Sequence, residues 1–180
     1  MDIRPSLQLK VMIKAMEQVV LPAVDSSNRI AVEQAGLVLT SLRVLEQRLP
    51  LWRAYVRDEL TRLVRLVDDI VALDDVAQAG APDLVAAAGS ARSLIGRPDA
   101  EAPELEQAAI DLRNGIGQLI ADWESRGVTI HGTSVGRLVL DASKTQLDRE
   151  RGWLLPFGFE SDPSAIVPIE RQLHLANGPR

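Results

Sequence analysis

Apolar residues at the spacing of an α-helix constrain the fold of this chain more than any other feature. Between residues 31 and 49 they recur in steps of four, three, four, three and four, a seam suited to packing against other helices. The seam comprises Ala31, Ala35, Val38, Leu42, Leu45 and Leu49. Ile30, Leu37 and Val44 form a second stripe, so we expect a helix that is apolar on more than one side and central in its bundle.

Proline and glycine divide the rest of the chain into further helical segments. Pro5 can open a first helix that ends near Pro22, and Pro50 separates the seam helix from the next one. Gly127 is placed to cap the C-terminus of a later helix in the left-handed conformation. After the seam helix, helices are predicted over residues 51–78, 83–95, 103–126 and 134–151. Two of them have apolar seams of their own: Trp52, Val56, Leu60, Leu63, Val67 and Ile70 in the first, and Leu105, Ala109, Leu112, Ile116, Leu119 and Trp123 in the third. The single β-like run covers residues 128–131.

The C-terminal segment, residues 152–180, differs in character from the rest of the chain. Its four prolines break it too often for a long helix, yet it is too apolar for a solvated tail. The sequence therefore predicts an all-α protein of five or six helices in a mainly antiparallel bundle, followed by an irregular, Pro-containing apolar arm. We assign residues 1–151 to the bundle domain and 152–180 to the C-terminal arm, docked on the bundle or on a partner.

Composition excludes several classes of protein. The chain has 180 residues, no Cys and a net charge of −5, so thiolate metal sites and cysteine nucleophiles are excluded and general nucleic-acid binding is not expected. No run approaches the roughly 20 apolar residues that span a bilayer, and no signal-peptide core is apparent. We expect a cytoplasmic protein without membrane contact. Since 17 of the 20 basic residues are arginine, a GC-rich bacterial source is favoured.

Three residues are candidates for ligand binding. Glu59 projects among apolar side chains of its predicted helix, where a carboxylate needs a partner or a function; the favoured interpretation is structural, either an arginine partner or a place at the edge of the bundle. Ser134 lies in Gly132-Thr-Ser-Val-Gly136, a G-x-S-x-G motif that follows the β-like run containing His131. A serine nucleophile there would need a parallel sheet, which the sequence does not predict. The simpler interpretation is a turn with a helix cap.

Aromatic residues are concentrated in the arm. Trp153, Leu154, Phe157 and Phe159 are candidate partner-binding residues, because apolar extended segments either fold over their own core or anchor a partner. No pattern predicts a metal site or a cofactor, since neither histidine follows an acidic residue at the Glu-x-x-His spacing of di-iron bundles.

These observations favour a non-catalytic helical accessory or interaction protein, a homo-oligomer or a small subunit that supports an enzyme. Its partners would be a second copy or another protein. The alternative is a small-molecule-binding helical protein or enzyme with a pocket between helices, using Glu59 or the His131/Ser134 turn. A weaker alternative is a serine hydrolase that uses Ser134.

Overall fold

The computed structural model of the protein describes residues 4–73, 81–127 and 133–173. Within these ranges the chain is helical and contains no β-strand, which confirms the predicted all-α bundle. The β-like run at 128–131 and the predicted end of the long helix near Gln78 lie outside the described residues. The α-helices are α1 (Pro5–Ala15), α2 (Leu21–Ala23), α3 (Arg29–Arg48), α4 (Trp52–Val71), α5 (Pro82–Gly96), α6 (Ala102–Ser125), α7 (Ser134–Leu154) and α8 (Ile169–Gln172).

Helix starts follow the local chemistry of the sequence. Proline occupies the first turn of α1, α5 and α6, where its missing N–H has no helical partner to lose. The side chain of Asn28 caps α3 by accepting a hydrogen bond from the Ala31 N–H at 3.1 Å. At the end of α6, Gly127 has φ of +79°, the left-handed cap conformation predicted for it.

The described residues form two compact units. The first contains residues 4–52 and 150–173, namely α1 to α3, the end of α7 and the described part of the arm. A π-helical turn, Met16–Val20, joins α1 to α2, and a 3₁₀ turn, Leu49–Leu51, follows α3. The arm continues through 3₁₀ turns at Leu155–Phe157 and Pro163–Ala165 into the short α8, whose Ile169 is fully buried.

The second unit contains the rest of the described chain, from Arg53 to Arg149. Its core includes aliphatic positions that the periodicity predicts on α4 and α6, because these helices have one apolar face. Buried residues of the predicted seams are Val56, Leu60, Val67, Ile70, Leu105, Ala109, Leu112, Ile116 and Trp123. The α5 and α6 helices pack closely at Gly115, where an added Cβ would lie 2.9 Å from Leu84 Cδ1.

Helix α3 buries fewer apolar residues than its two predicted apolar sides suggested. Only Leu39, Val44 and Arg48 are buried on this helix, and three members of its seam are exposed. A search of the helices in the described ranges found none that combines the length and the hydropathy needed to cross a membrane.

Candidate interaction surface

The exposed side of α3 and of the 3₁₀ turn that follows it presents aliphatic side chains, interrupted by Gln34 and Ser41. Ile30 is 73% exposed and Leu45 is 53% exposed. At 100° per residue, five exposed aliphatic residues fall within an arc of about 120°, whereas Val32, which is 37% exposed, lies outside it. We call this surface the apolar stripe; it consists of Ile30, Leu37, Val38, Leu45 and Leu49.

Apart from Arg48, the residues that fill the rest of the arc are uncharged. Gln34 and Ser41 lie among the aliphatic side chains, and the Ser41 hydroxyl donates to the Leu37 carbonyl at 2.9 Å. Arg48 is the one ionisable residue in this arc, and its guanidinium is 3% exposed because it is directed into its own unit. The arc itself therefore presents no exposed charged side chain to an apolar partner.

The opposite side of α3 is covered by the N-terminal helices. Leu39 is buried there, and Arg43 Nη2 lies 2.7 Å from Glu17 Oε1 in the π-helical turn. Lys10 of α1 approaches Glu46 at 3.8 Å. Since α1 and the π-helical turn contact this side of α3, the apolar stripe faces away from them.

Arg48 attaches the arm to α3. Its Nε donates to the Trp153 carbonyl at 2.9 Å and its Nη2 to the Gly152 carbonyl at 3.4 Å, while Nη1 pairs with Glu170 of α8. The guanidinium also lies 5.6 Å from the centre of the Trp153 ring. A planar cation with several donors suits this task, because the last carbonyls of a helix lack intrahelical partners and carry partial negative charge.

The four predicted partner-binding residues occupy two kinds of environment. Trp153 is half-buried and meets Trp52 edge-on, with 5.8 Å between ring centres. Leu154 is exposed, and Phe157 is half-buried beneath Phe159, which stacks on it at 5.5 Å and is itself 75% exposed. The structure thus brings the two phenylalanines together and places Trp153 in the packing of its own unit.

Glu59 lies in the second unit. It is on the buried side of α4, among the apolar side chains, as the sequence predicted. Its side chain is 9% exposed and pairs with Arg113 of α6. Of the two structural interpretations that the sequence favoured, an arginine partner is therefore the one present. A carboxylate that is already neutralised by an ion pair has less free charge to offer a ligand.

Arg149 is a buried residue that the sequence analysis did not single out. It is 1% exposed, lies 4.6 Å from the centre of the Tyr55 ring, and places Nη2 3.1 Å from Asp58 Oδ2 and 3.3 Å from the Tyr55 carbonyl. Burial lowers the pKa of the Arg149 guanidinium, and the charge of Asp58 opposes that shift. Its position could have been noticed, because Val135, Ala142 and Arg149 share one face of α7 at helical spacing.

Ser134 is the exposed first residue of α7, and His131 lies outside the described residues. The Ser134 hydroxyl accepts a 3.4 Å hydrogen bond from Arg137, and the neighbouring Thr133 hydroxyl accepts one from the Gly136 N–H at 3.1 Å. This is the geometry of a turn and a helix cap. In the described ranges, no group of three or more His, Asp or Glu residues could hold a metal ion.

A shallow cleft in the second unit is a possible ligand site. It has a volume of about 260 Å³ and is lined by Val67, Val71, Val85 and Ala88, with the Asp68–Arg92 ion pair beside them. This volume is below the roughly 300–1,000 Å³ typical of small-molecule pockets.

Comparison of the chain with protein-family models, with curated protein sequences and with solved structures finds no match.

Proposed function

We propose that this protein is a non-catalytic helical interaction protein that binds its partner through the apolar stripe of α3. The observation that supports this proposal is the exposure of the stripe itself, with Ile30 and Leu45 more than half accessible. Single exposed apolar residues are ordinary on a protein surface, but contiguous rows of them mark interaction sites. The acidic, cysteine-free composition supports a cytoplasmic location for this role.

The size of the stripe sets a requirement on the partner. Covering one set of five half-exposed aliphatic side chains is worth roughly 5 kcal/mol. Association costs an estimated 4–15 kcal/mol in lost freedom. A stable complex therefore needs an apolar surface on the partner as well, together with contacts beyond the stripe.

Exposed apolar residues of the arm are candidates for these additional contacts. Leu154 and Phe159 were predicted to bind a partner, and Val167 is also exposed. The three belong to the same unit as the stripe. Within the proposal, Trp153 and Phe157 help to hold the arm in place through their contacts with Trp52 and Phe159.

Co-purification of a tagged full-length chain from its native organism tests the proposal. We expect Leu45→Lys to abolish retention of the partner, because it places a charge in the middle of the apolar stripe. Leu140→Lys is the matched control, since Leu140 is 54% exposed on α7, against 53% for Leu45. Equal retention by both variants would contradict the proposed role of the stripe.

The second candidate function is small-molecule binding in the second unit, either at the 260 Å³ cleft or at the buried Glu59, which is not among the residues that line that cleft. Replacing Glu59 with Gln tests it: a ligand-binding carboxylate would weaken binding in a fold that remains intact, whereas a structural one would lower stability alone. The serine hydrolase alternative predicts labelling of Ser134 by a fluorophosphonate probe, and unlabelled protein would argue against it.

A further inference from the structure

We infer that the partner covering the apolar stripe is a second copy of this chain, so that α3 of one copy packs against α3 of the other. The inference rests on the proposed function and adds the identity of the partner to it. Three properties of α3 support it: the charge of the stripe, the spacing of its residues and the chemistry of its two polar members.

The charge distribution favours an uncharged partner surface. The protein carries a net charge of −5, so two copies repel each other at most faces. Along the stripe this repulsion has no local source, because Arg48 is the one ionisable residue of the arc and its guanidinium is engaged by Glu170. A strongly charged partner such as a nucleic acid would find nothing there to pair with.

The spacing of α3 favours another helix of the same kind. The arc contains the row Ile30, Gln34, Leu37, Ser41 and Leu45, whose members follow one another in steps of four, three, four and four residues, and a row with this spacing interlocks with an equivalent row on a second helix. A second α3 provides that spacing over the same 20 residues. In a two-fold symmetric pair each contact also occurs twice, which doubles the apolar contribution of a short stripe.

The two polar residues of the stripe suit symmetric pairing. The Gln34 amide and the Ser41 hydroxyl each donate and accept hydrogen bonds, so both can bond across an interface between copies. Polar residues inside an apolar seam are known to select the register of a helix pair. Ser41 lies near the middle of the stripe, and so it approaches its counterpart whether the two helices run parallel or antiparallel.

An engineered cysteine at this position provides the first test, because the chain has no cysteine of its own. Under mild oxidation, purified full-length Ser41→Cys should form a disulfide-linked dimer at least about tenfold faster than the control Ser143→Cys. The control is matched: Ser41 and Ser143 donate to the carbonyl four residues earlier at 2.9 and 2.8 Å, respectively. Equal rates for the two variants would overturn the inference.

Light scattering on the unmodified chain and on the two lysine variants provides the second test. We expect dimers for the natural chain and for Leu140→Lys, and helical monomers by circular dichroism for Leu45→Lys. A monomeric natural chain at its highest soluble concentration would overturn the inference. If that monomer still retains a partner through Leu45, the proposed function stands without the second copy. If the monomer retains no partner, both the proposed function and the inference of a second copy fail.

Discussion

The guanidinium of Arg149 is buried while two of its nitrogens, Nε and Nη1, find no acceptor in the described part of the chain. The charge of Arg149 is balanced by Asp58, whose Oδ2 also lies 2.9 Å from Arg62 Nε. A buried donor without a partner costs about 1–3 kcal/mol, and a buried charge costs more when its counterion is removed. Arg149 and Asp58 therefore contribute very differently to stability.

We predict that Arg149→Met changes the free energy of unfolding by no more than about 1 kcal/mol, since methionine keeps much of the volume and removes the unsatisfied donors. Asp58→Asn should lower it by about 2–4 kcal/mol, because it leaves the Arg149 charge buried without a counterion. Urea unfolding of both variants measures the difference. A larger loss in Arg149→Met than in Asp58→Asn would contradict this account.

Gly152 lies where α7 meets the arm, and no larger residue fits there without movement. An added Cβ would lie 2.5 Å from the Val167 carbonyl oxygen and 2.6 Å from Gln172 Nε2. Replacing glycine with alanine inside a helix normally stabilises it by about 0.5–1 kcal/mol. We predict the opposite sign for Gly152→Ala, a loss of about 1–3 kcal/mol, because the arm backbone must shift.

The control for this prediction is Gly117→Ala on α6. Gly117 is exposed, and nothing lies within 4 Å of an added Cβ at that position. The melting temperatures of the two variants should change in opposite directions relative to the natural chain. A stabilising effect at both positions would show that the arm does not pack against Gly152 as described.

Among the elements, the loop between the two 3₁₀ turns of the arm is held to α7 by the carboxylate of Glu160, whose charge depends on pH. Arg151 donates to both oxygens of Glu160, at 2.9 and 2.8 Å, and these hydrogen bonds lower the pKa of the Glu160 carboxyl below its ordinary value of 4.5. A lowered pKa in the folded state adds stability above the unfolded pKa. That contribution is lost as the pH falls through the folded pKa.

We predict that Glu160→Gln is less stable than the natural chain at neutral pH and that this difference shrinks as the pH falls below the unfolded carboxyl value of about 4.3 and through the lower pKa of the folded state. The denaturation midpoints of both proteins at several pH values provide the measurement. Other acidic groups titrate equally in the two proteins, so their difference isolates Glu160. A constant difference across this range would show that the Arg151–Glu160 contact does not stabilise the fold through its charge.

The sequence predicted most of the helices but not how α3 is used. Periodicity indicates which side of a helix is apolar. On α4 and α6 that side is buried, as Val56, Leu60, Leu105 and Leu112 show. On α3 the same signal marks two sides, and only tertiary contacts decide that Leu39 is covered while Leu45 is not. Seam spacing alone does not identify the partner helix.

The candidate partner-binding residues were predicted as one group by composition, yet they divide in the structure. Trp153 and Phe159 are both aromatic residues of the arm, and only the fold separates the half-buried indole from the exposed phenyl ring. The burial of Arg48 was also missed. Because arginine is normally a surface residue, the amino-acid sequence alone gives no reason to expect that Arg48 is buried.

For the whole molecule, self-association through the apolar stripe links stability to concentration. Since a dimer contributes binding free energy to folding, the melting temperature should rise by about 2–4 °C for each tenfold increase in protein concentration. The natural chain and Leu140→Lys should show this rise, and Leu45→Lys should not. Calorimetry at a series of concentrations makes the comparison. A melting temperature independent of concentration in all three would contradict the dimer.

By itself the sequence determined the helical class, the turns at proline and glycine, and the apolar faces of α4 and α6, because these follow from local sterics and from the 3.6-residue period. Tertiary structure alone decided which face of α3 is covered, which arginines are buried, and how the arm meets Arg48 and Gly152. The physical reason is that burial belongs to pairs of surfaces. A sequence pattern describes one surface of each pair, and the fold selects the other.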